Sequence, residues 1–246
     1  LESFGLVSTV YATGLRAGTV AEELGDDSAG FANAYERSKW EAEQVVAAAA
    51  EDGLPCRILR VATVIADDHS GRVTQRNAFH ETLKLWFHGL LPLVPGNPAT
   101  PLYLVTGDFV ADAVVTLMEP EHRGVFHVAH DAAHSLTLAQ AVEVVAEAFE
   151  AVESYRRRRI LRPLLGDEES FDLLTSGVGS FGGGMVRQAL ESVVPFARQL
   201  FVVKALDNAR MRTALGSSYV PGDPAELVRR TCEHLVATKW GRGAVA

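Results

Sequence analysis

Two apolar, β-branched runs, Phe4 to Val10 and Pro55 to Ile65, enclose a stretch of strong helix formers from Phe31 to Glu51, with Gly53 placed to stop the helix. The runs are short and largely apolar, the first ending in small hydroxyl residues, the pattern of buried parallel strands. Two such strands joined through a helix make the crossover unit that parallel strands need. The alternation continues: Arg76 to His88 and Asp108 to Met118 read as helices, Gly124 to Ala129 as a third strand, and Thr137 to Phe149 as a further helix. Thr137 and Gln140 stand at capping-box spacing at its start. Alternating strands and helices predict an α/β fold with a parallel sheet.

Between these elements, residues 12–30 and 67–74 read as loop. Leu91 to Pro101, with four prolines and a glycine, reads as an irregular segment. The pattern changes after Ala151. Residues 153–201 carry an arginine run and a glycine cluster with little strand signal, as expected of a cap over a site; residues 208–215 and 223–238 read as helix. The 246 residues suffice for one large domain, or for one with a smaller lobe.

A net charge of −8 argues against a nucleic-acid binder, although a helix N-terminus can hold an anionic cofactor on an acidic protein. The two cysteines, Cys56 and Cys232, form neither a disulfide framework nor a zinc spacing, and a reducing, cytoplasmic setting is expected. The apolar stretches around residues 45–50 and 90–94 are too short to span a bilayer. Because residue 1 is Leu and a strand begins almost at once, the chain reads as a piece of a longer protein.

Tyr35 and Lys39, four residues apart in the first helix, share one helix face. A free phenol titrates at about 10, and a nearby ammonium favours the phenolate, so such a tyrosine can exchange a proton near neutral pH. The pair alone means little. Here it follows a buried strand ending in Ser8 and Thr9 and precedes a second buried strand, so a hydroxyl could share a substrate oxygen with the phenol.

With these residues in place, VSTVYATG (7–14), YERSKWEAE (35–43) and LRVATVIADDHSGR (59–72) resemble the catalytic half of an extended short-chain dehydrogenase/reductase. VTGDFVADAVVTL (105–117) and GVFHVAH (124–130) continue the resemblance, which covers about the first 150 residues well. It implies the C-terminal part of a Rossmann-like, doubly wound parallel sheet over residues 1–130, with 75–104 contributing to a substrate lobe. Residues 131–246 would form a smaller, mostly helical substrate or cap region. It also implies Thr9 as hydroxyl partner, with Ser8 the alternative, Tyr35 as proton donor, and Lys39 as the ribose-binding cation that tunes the tyrosine. Ser8, Val61, Ala62 and Thr63 would join Tyr35 and Lys39 on the cofactor side. Val61 and Ala66 stand where the family commonly has proline and glycine.

The Ser-Thr-x-Tyr-x-x-Gly start, Ser38–Trp40, the proline-rich link and KALDNARMRTALG (204–216) are similar to thioester reductases and fatty acyl-CoA reductases, the male-sterility type. The resemblance implies NADP, or NAD, as cofactor and an acyl-CoA or acyl-carrier substrate reduced to aldehyde or alcohol. The alternatives are an epimerase/dehydratase, a hydroxysteroid-type dehydrogenase, and a non-catalytic cofactor-binding protein.

Three further features carry less. Residues 177–182 spell G-x-G-x-x-G but follow no strand, so they read as a cap loop. His122, His127, His130 and His134 spread over a strand and its exit and read as structural or surface residues rather than metal ligands. Arg156–Arg159 reads as a solvated face, with an acidic carrier or coenzyme A phosphates as the sharper reading.

Overall fold

The computed structural model describes residues 3–177 and 194–241, and within them the chain forms two compact units. Unit 1 comprises residues 1–64, 103–135 and 204–222; unit 2 comprises 65–102, 136–203 and 223–246.

Unit 1 is built on a parallel sheet in which β3 (Cys56–Val61) lies between β1 (Phe4–Thr9) and β8 (Gly124–Val128). The register sets Thr9 beside Val61 and Val61 beside Val128, so the three strands end together. One face of the sheet receives α1 (Ala34–Glu51), where Val46 packs on Cys56, Ile58 and Val125. The other face receives α3 (Gly107–Leu117) and α7 (Ala209–Leu215), where Ala113, Leu117, Met211 and Leu215 cover Leu59, Phe126 and Val128. Helices on both faces explain why the strand sequences are largely apolar, with Arg57, Arg60 and His127 among the buried exceptions.

The sequence reading of residues 55–65 as one strand is corrected here to two, because β3 stops at Val61 and β4 (Thr63–Ala66) starts after Ala62. The Ala62 N–H donates to Val128 O, whereas the Thr63 N–H turns to Tyr103 O. A change of partner at a single residue leaves no mark in an apolar pattern. Short strands without a sequence expectation include β2 (Gly18–Val20), inside the expected loop, and β11 (Lys204–Leu206), its parallel partner. Pairing of three residues across that sequence distance has no local signature. The strand β7 (Leu104–Thr106) leads directly into α3.

Unit 2 contains α2 (Ala78–Phe87), α4 (Leu138–Glu150), α5 (Glu153–Arg157), α6 (Glu168–Gly177) and α8 (Pro224–Ala237). It also holds two short ladders: β5 (Leu93–Pro95) runs parallel to β10 (Leu164–Gly166), and β6 (Pro101–Leu102) antiparallel to β9 (Leu136–Thr137). Thus the segment expected to be irregular pairs in two places. The capping box at α4 is present, with the Thr137 and Gln140 side chains each accepting the other's backbone N–H. At α2 the corresponding role falls to His80, whose Nδ1 accepts the Asn77 N–H while Nε2–H donates to Ile65 O. Burial lowers the His80 pKa, in keeping with this neutral tautomer. The core of unit 2 is aromatic: Trp86, Phe87, Phe149, Tyr155 and Trp240 meet ring to ring, and Trp86 Nε1–H donates to the Tyr155 hydroxyl at 3.0 Å.

Beyond Gly177 at the end of α6, the G-x-G-x-x-G stretch lies outside the described residues. In the arginine run, Arg157 pairs with Glu153, and Arg158 donates to Phe87 O with its guanidinium over the Phe87 ring. Among the described residues no helix is long and apolar enough to cross a membrane.

Candidate active site

The candidate residues gather in unit 1 at the carboxyl ends of β1 and β3, the edge at which open α/β sheets bind ligands. Thr9 closes β1 and caps the 3-10 turn Val10–Thr13, its Oγ1 accepting the Tyr11 N–H at 3.3 Å. Used as an acceptor there, the hydroxyl keeps its proton to donate elsewhere. Ser8 differs. Its hydroxyl donates to Glu43 Oε1 at 2.6 Å in the interior, so its proton is already committed. Of the two hydroxyls considered from sequence, Thr9 is therefore the one left able to donate.

The helix α1 starts at a well-defined point. Asn33 caps it by accepting the Glu36 N–H, while the Glu36 carboxylate, 1% exposed, accepts the Ala32 N–H. That fixes Tyr35 in the first turn and Lys39 one turn later. The Tyr35 side chain is 47% exposed and makes no hydrogen bond among the described residues. The Lys39 ammonium stands 5.9 Å from the Tyr35 ring centroid, with no ion pair among the described residues. A phenol and an ammonium held close together, without protein partners among the described residues, are open to a polar ligand.

One turn further along the same stripe, Glu43 is fully buried and anchors the helix to the sheet. It takes a forked pair of bonds from Arg60, with Nε and Nη2 at 3.0 and 2.7 Å. Arg60 Nη1 also faces His127 Nε2 at 3.3 Å, and His127 Nδ1 lies 2.7 Å from Asp207 O. Since a carbonyl can only accept, Nδ1 carries the proton and Nε2 accepts from Arg60. Burial first, and then the Arg60 charge, push the His127 pKa down to about 4. Glu22, from the segment read as loop, accepts the backbone N–H groups of His127, Arg210 and Met211 and so holds the start of α7. Burial raises its pKa against those three bonds.

Of the cofactor-side candidates, Val61 ends β3 beside Thr9, Ala62 is buried, and the Thr63 hydroxyl bonds the Tyr11 hydroxyl at 3.0 Å. Burial, foremost, raises the Tyr11 pKa, and the Glu36 and Tyr35 charges add to it. Tyr11 thus joins the neighbourhood of Tyr35, a role its position two residues after Thr9 only hinted at. Glu43, Arg60 and Glu22 escaped sequence reasoning as site supports. The available signal was charge at positions that the apolar pattern marks as interior.

The histidines have separate tasks: His127 belongs to the buried network, His130 stacks on Phe109 at 4.5 Å between centroids, and His134 bonds Asp131. A cavity of about 420 Å³ opens at the amino ends of β3 and β8, lined in part by Val46, Ala50, Leu54, Cys56 and Val125. It lies at the opposite strand ends from Thr9 and includes none of the candidate residues.

Residues 1–114 match an NAD-binding family described as male sterility protein. No curated protein sequence matches the chain. Among solved structures, the terminal R domain from the myxalamid PKS-NRPS biosynthetic pathway superposes with a TM-score of 0.69 at 22% identity, covering 97% of this chain and 59% of that one. A thiolation-reductase di-domain from an archaeal non-ribosomal peptide synthetase gives 0.64 at 20% identity, over 97% and 49% of the two chains. The UDP-glucuronic acid 4-epimerase from Bacillus cereus in complex with NAD gives 0.63 at 13%, over 98% and 63%. This chain spans less than two thirds of each, and at such identities the likeness establishes the shared α/β, Rossmann-like fold. Residues 1–114 thus resemble the male sterility protein family, and the chain shares the Rossmann-like fold of these solved structures.

Proposed function

We propose that this chain carries the proton-transfer face of an NAD(P)H-dependent reductase that converts an acyl thioester, on coenzyme A or a carrier protein, to an aldehyde or alcohol. The observation that carries this reading is the half-exposed Tyr35 phenol with the Lys39 ammonium beside it, both without protein partners among the described residues. The bound nicotinamide would supply the hydride that adds to the thioester carbonyl carbon. Tyr35 would donate its proton to the oxygen that gains charge, and Thr9 would donate a hydrogen bond to the same oxygen, a task suited to donors already fixed in place. Lys39 would hold the ribose hydroxyls and favour the phenolate left on Tyr35. Collapse of the resulting hemithioacetal breaks the carbon–sulfur bond, releasing the thiol and the aldehyde.

Val61, Ala62 and Thr63 would line the nicotinamide side. Ser8, whose proton goes to Glu43, would act there only as an acceptor. Residues 1–130 are read as the cofactor-side region, with 75–104 lending to the substrate lobe, and 131–246 as the substrate or cap region. NADP is preferred to NAD by the resemblance. The two buried, unbridged cysteines fit a cytoplasmic setting.

The test is NADPH consumption by the full-length protein with acyl-CoA and acyl-carrier substrates. Tyr35→Phe should lower kcat by about 10²- to 10⁴-fold. No thioester-dependent oxidation, with turnover of a UDP-sugar or a steroid alcohol instead, would transfer the assignment to the epimerase or hydroxysteroid-type reading. Unchanged activity in Tyr35→Phe would remove Tyr35 from the mechanism.

A further inference from the structure

Lys204 is the unexpected group of unit 1. It lies on β11, 7% exposed, and its Nζ donates to Thr13 Oγ1 at 2.9 Å and to Gly14 O at 2.7 Å. Both acceptors belong to the turn that Thr9 opens. At one end of this turn, Thr9 Oγ1 accepts the Tyr11 N–H; at the other, the Thr13 hydroxyl donates to Val10 O at 2.7 Å and the Gly14 N–H to Tyr11 O at 3.0 Å. Gly14 has φ +63°, and a Cβ there would collide with the Gly30 carbonyl, so the exit of the turn is committed to one path. A buried ammonium therefore secures the far end of the turn whose near end is the candidate hydroxyl.

The surroundings explain how the charge is tolerated. Burial is the largest influence on Lys204 and draws its pKa down to about 8. The Glu36 carboxylate of α1 opposes this, while Arg60 of β3 and Arg16 of the loop after the turn reinforce it, and His127 of β8 feels the Lys204 charge in return. An apolar side chain of similar length would avoid the desolvation cost of a buried cation. Simple packing thus gives no reason for a lysine here, whereas two fixed acceptors on the turn do.

We propose that Lys204 is a positioning residue for Thr9: by tying Thr13 and Gly14 to β11, it holds the turn in the one arrangement that presents the Thr9 hydroxyl at the end of β1. The proposal rests on the reading of Thr9 and Tyr35 given above, and its test has two arms that fail separately. In the full-length protein, Lys204→Met should expose the Tyr11 and Gly14 amides to hydrogen exchange while those of β3 stay protected. With NADPH and an acyl-CoA as probes, it should lower kcat by about 10- to 100-fold, the loss typical of a small misplacement, with KM for the cofactor little changed. Lys204→Arg, which can still donate to both acceptors, should recover most of the rate. Thr13→Val keeps the ammonium and its bond to Gly14 O while removing the Thr13 acceptor and that hydroxyl's own bond to Val10 O, so it stands in should Lys204→Met fail to fold. Combined with Lys204→Arg, it should give a non-additive loss. Retained protection at Tyr11 and Gly14 in Lys204→Met, or in Thr13→Val where that variant must stand in, would overturn the proposal whatever the activity. A kcat loss that Lys204→Arg does not recover would do the same. Loss of protection together with a Tyr35→Phe protein of full activity would instead refute the catalytic reading.

Discussion

The interior of unit 1 carries ionisable groups, Glu43, Arg60 and Lys204, each at most 7% exposed, whereas that of unit 2 is filled by Trp86, Phe87, Phe149, Tyr155 and Trp240. The first kind of interior is directional. A forked guanidinium–carboxylate pair fixes distance and angle, so Glu43 and Arg60 set where α1 sits on β3, and with it where Tyr35 and Lys39 stand. The second kind is adaptable, since rings pack in several offset and edge-on arrangements at similar energy. The candidate chemistry lies in the directional unit. The difference teaches that charge has been buried where atoms must be placed, and apolar area where volume must be filled.

The comparison can be broken most directly at Glu43. Glu43→Leu leaves the Arg60 guanidinium buried without its partner and should cost about 3–5 kcal/mol in denaturant unfolding. The double variant Glu43→Leu, Arg60→Met removes both charges and should recover much of that loss, while kcat stays low because the helix is no longer located by a directional bond. A single variant as stable as the parent would show that the pair is dispensable. In unit 2, Phe149→Ala should cost a comparable amount, about 3–5 kcal/mol, through the cavity it leaves. Its effect should be the same at pH 4.5 and pH 7, because the rings that touch Phe149, those of Trp86, Phe87, Tyr155 and Trp240, do not titrate in that range. A pH-dependent loss there would erase the distinction between the two interiors.

His127 sharpens the comparison by its sign. Its folded pKa of about 4 lies below the ordinary 6.5, so between these values the unfolded chain binds a proton that the folded chain does not. Stability attached to the neutral ring is complete above pH 6.5 and is lost as pH falls towards 4. At about 1.4 kcal/mol per pH unit, the loss approaches about 3 kcal/mol. The difference in stability between the parent and His127→Gln, followed by urea unfolding from pH 7 to pH 4, should shrink across that window. A difference that stays constant would mean that His127 is not held neutral by its burial and the Arg60 charge.

Much of the fold was legible locally. Largely apolar runs announced β1, β3 and β8, because helices packed on the sheet favour apolar side chains there. Helix formers and caps announced α1 and α4, because Asn33 and the Thr137–Gln140 box act within a few residues of sequence. The spacing of Tyr35 and Lys39 put them on one face for the same reason. The break at Ala62 and the pairing of β2 with β11 were not legible, since they depend on which backbone groups meet across the fold.

What the sequence determined by itself, then, is the identity and order of the elements and the presence of a phenol, an ammonium and two hydroxyls near the ends of the first strand and helix. Only the tertiary structure decided which hydroxyl keeps its proton, by placing Glu43 against Ser8, and which distant cation secures the turn, by returning Lys204 to Thr13 and Gly14. The physical reason is range. Helix propensity, capping and apolar periodicity act over a few residues, whereas a hydrogen bond between residues 190 positions apart is specified only once the chain has closed on itself.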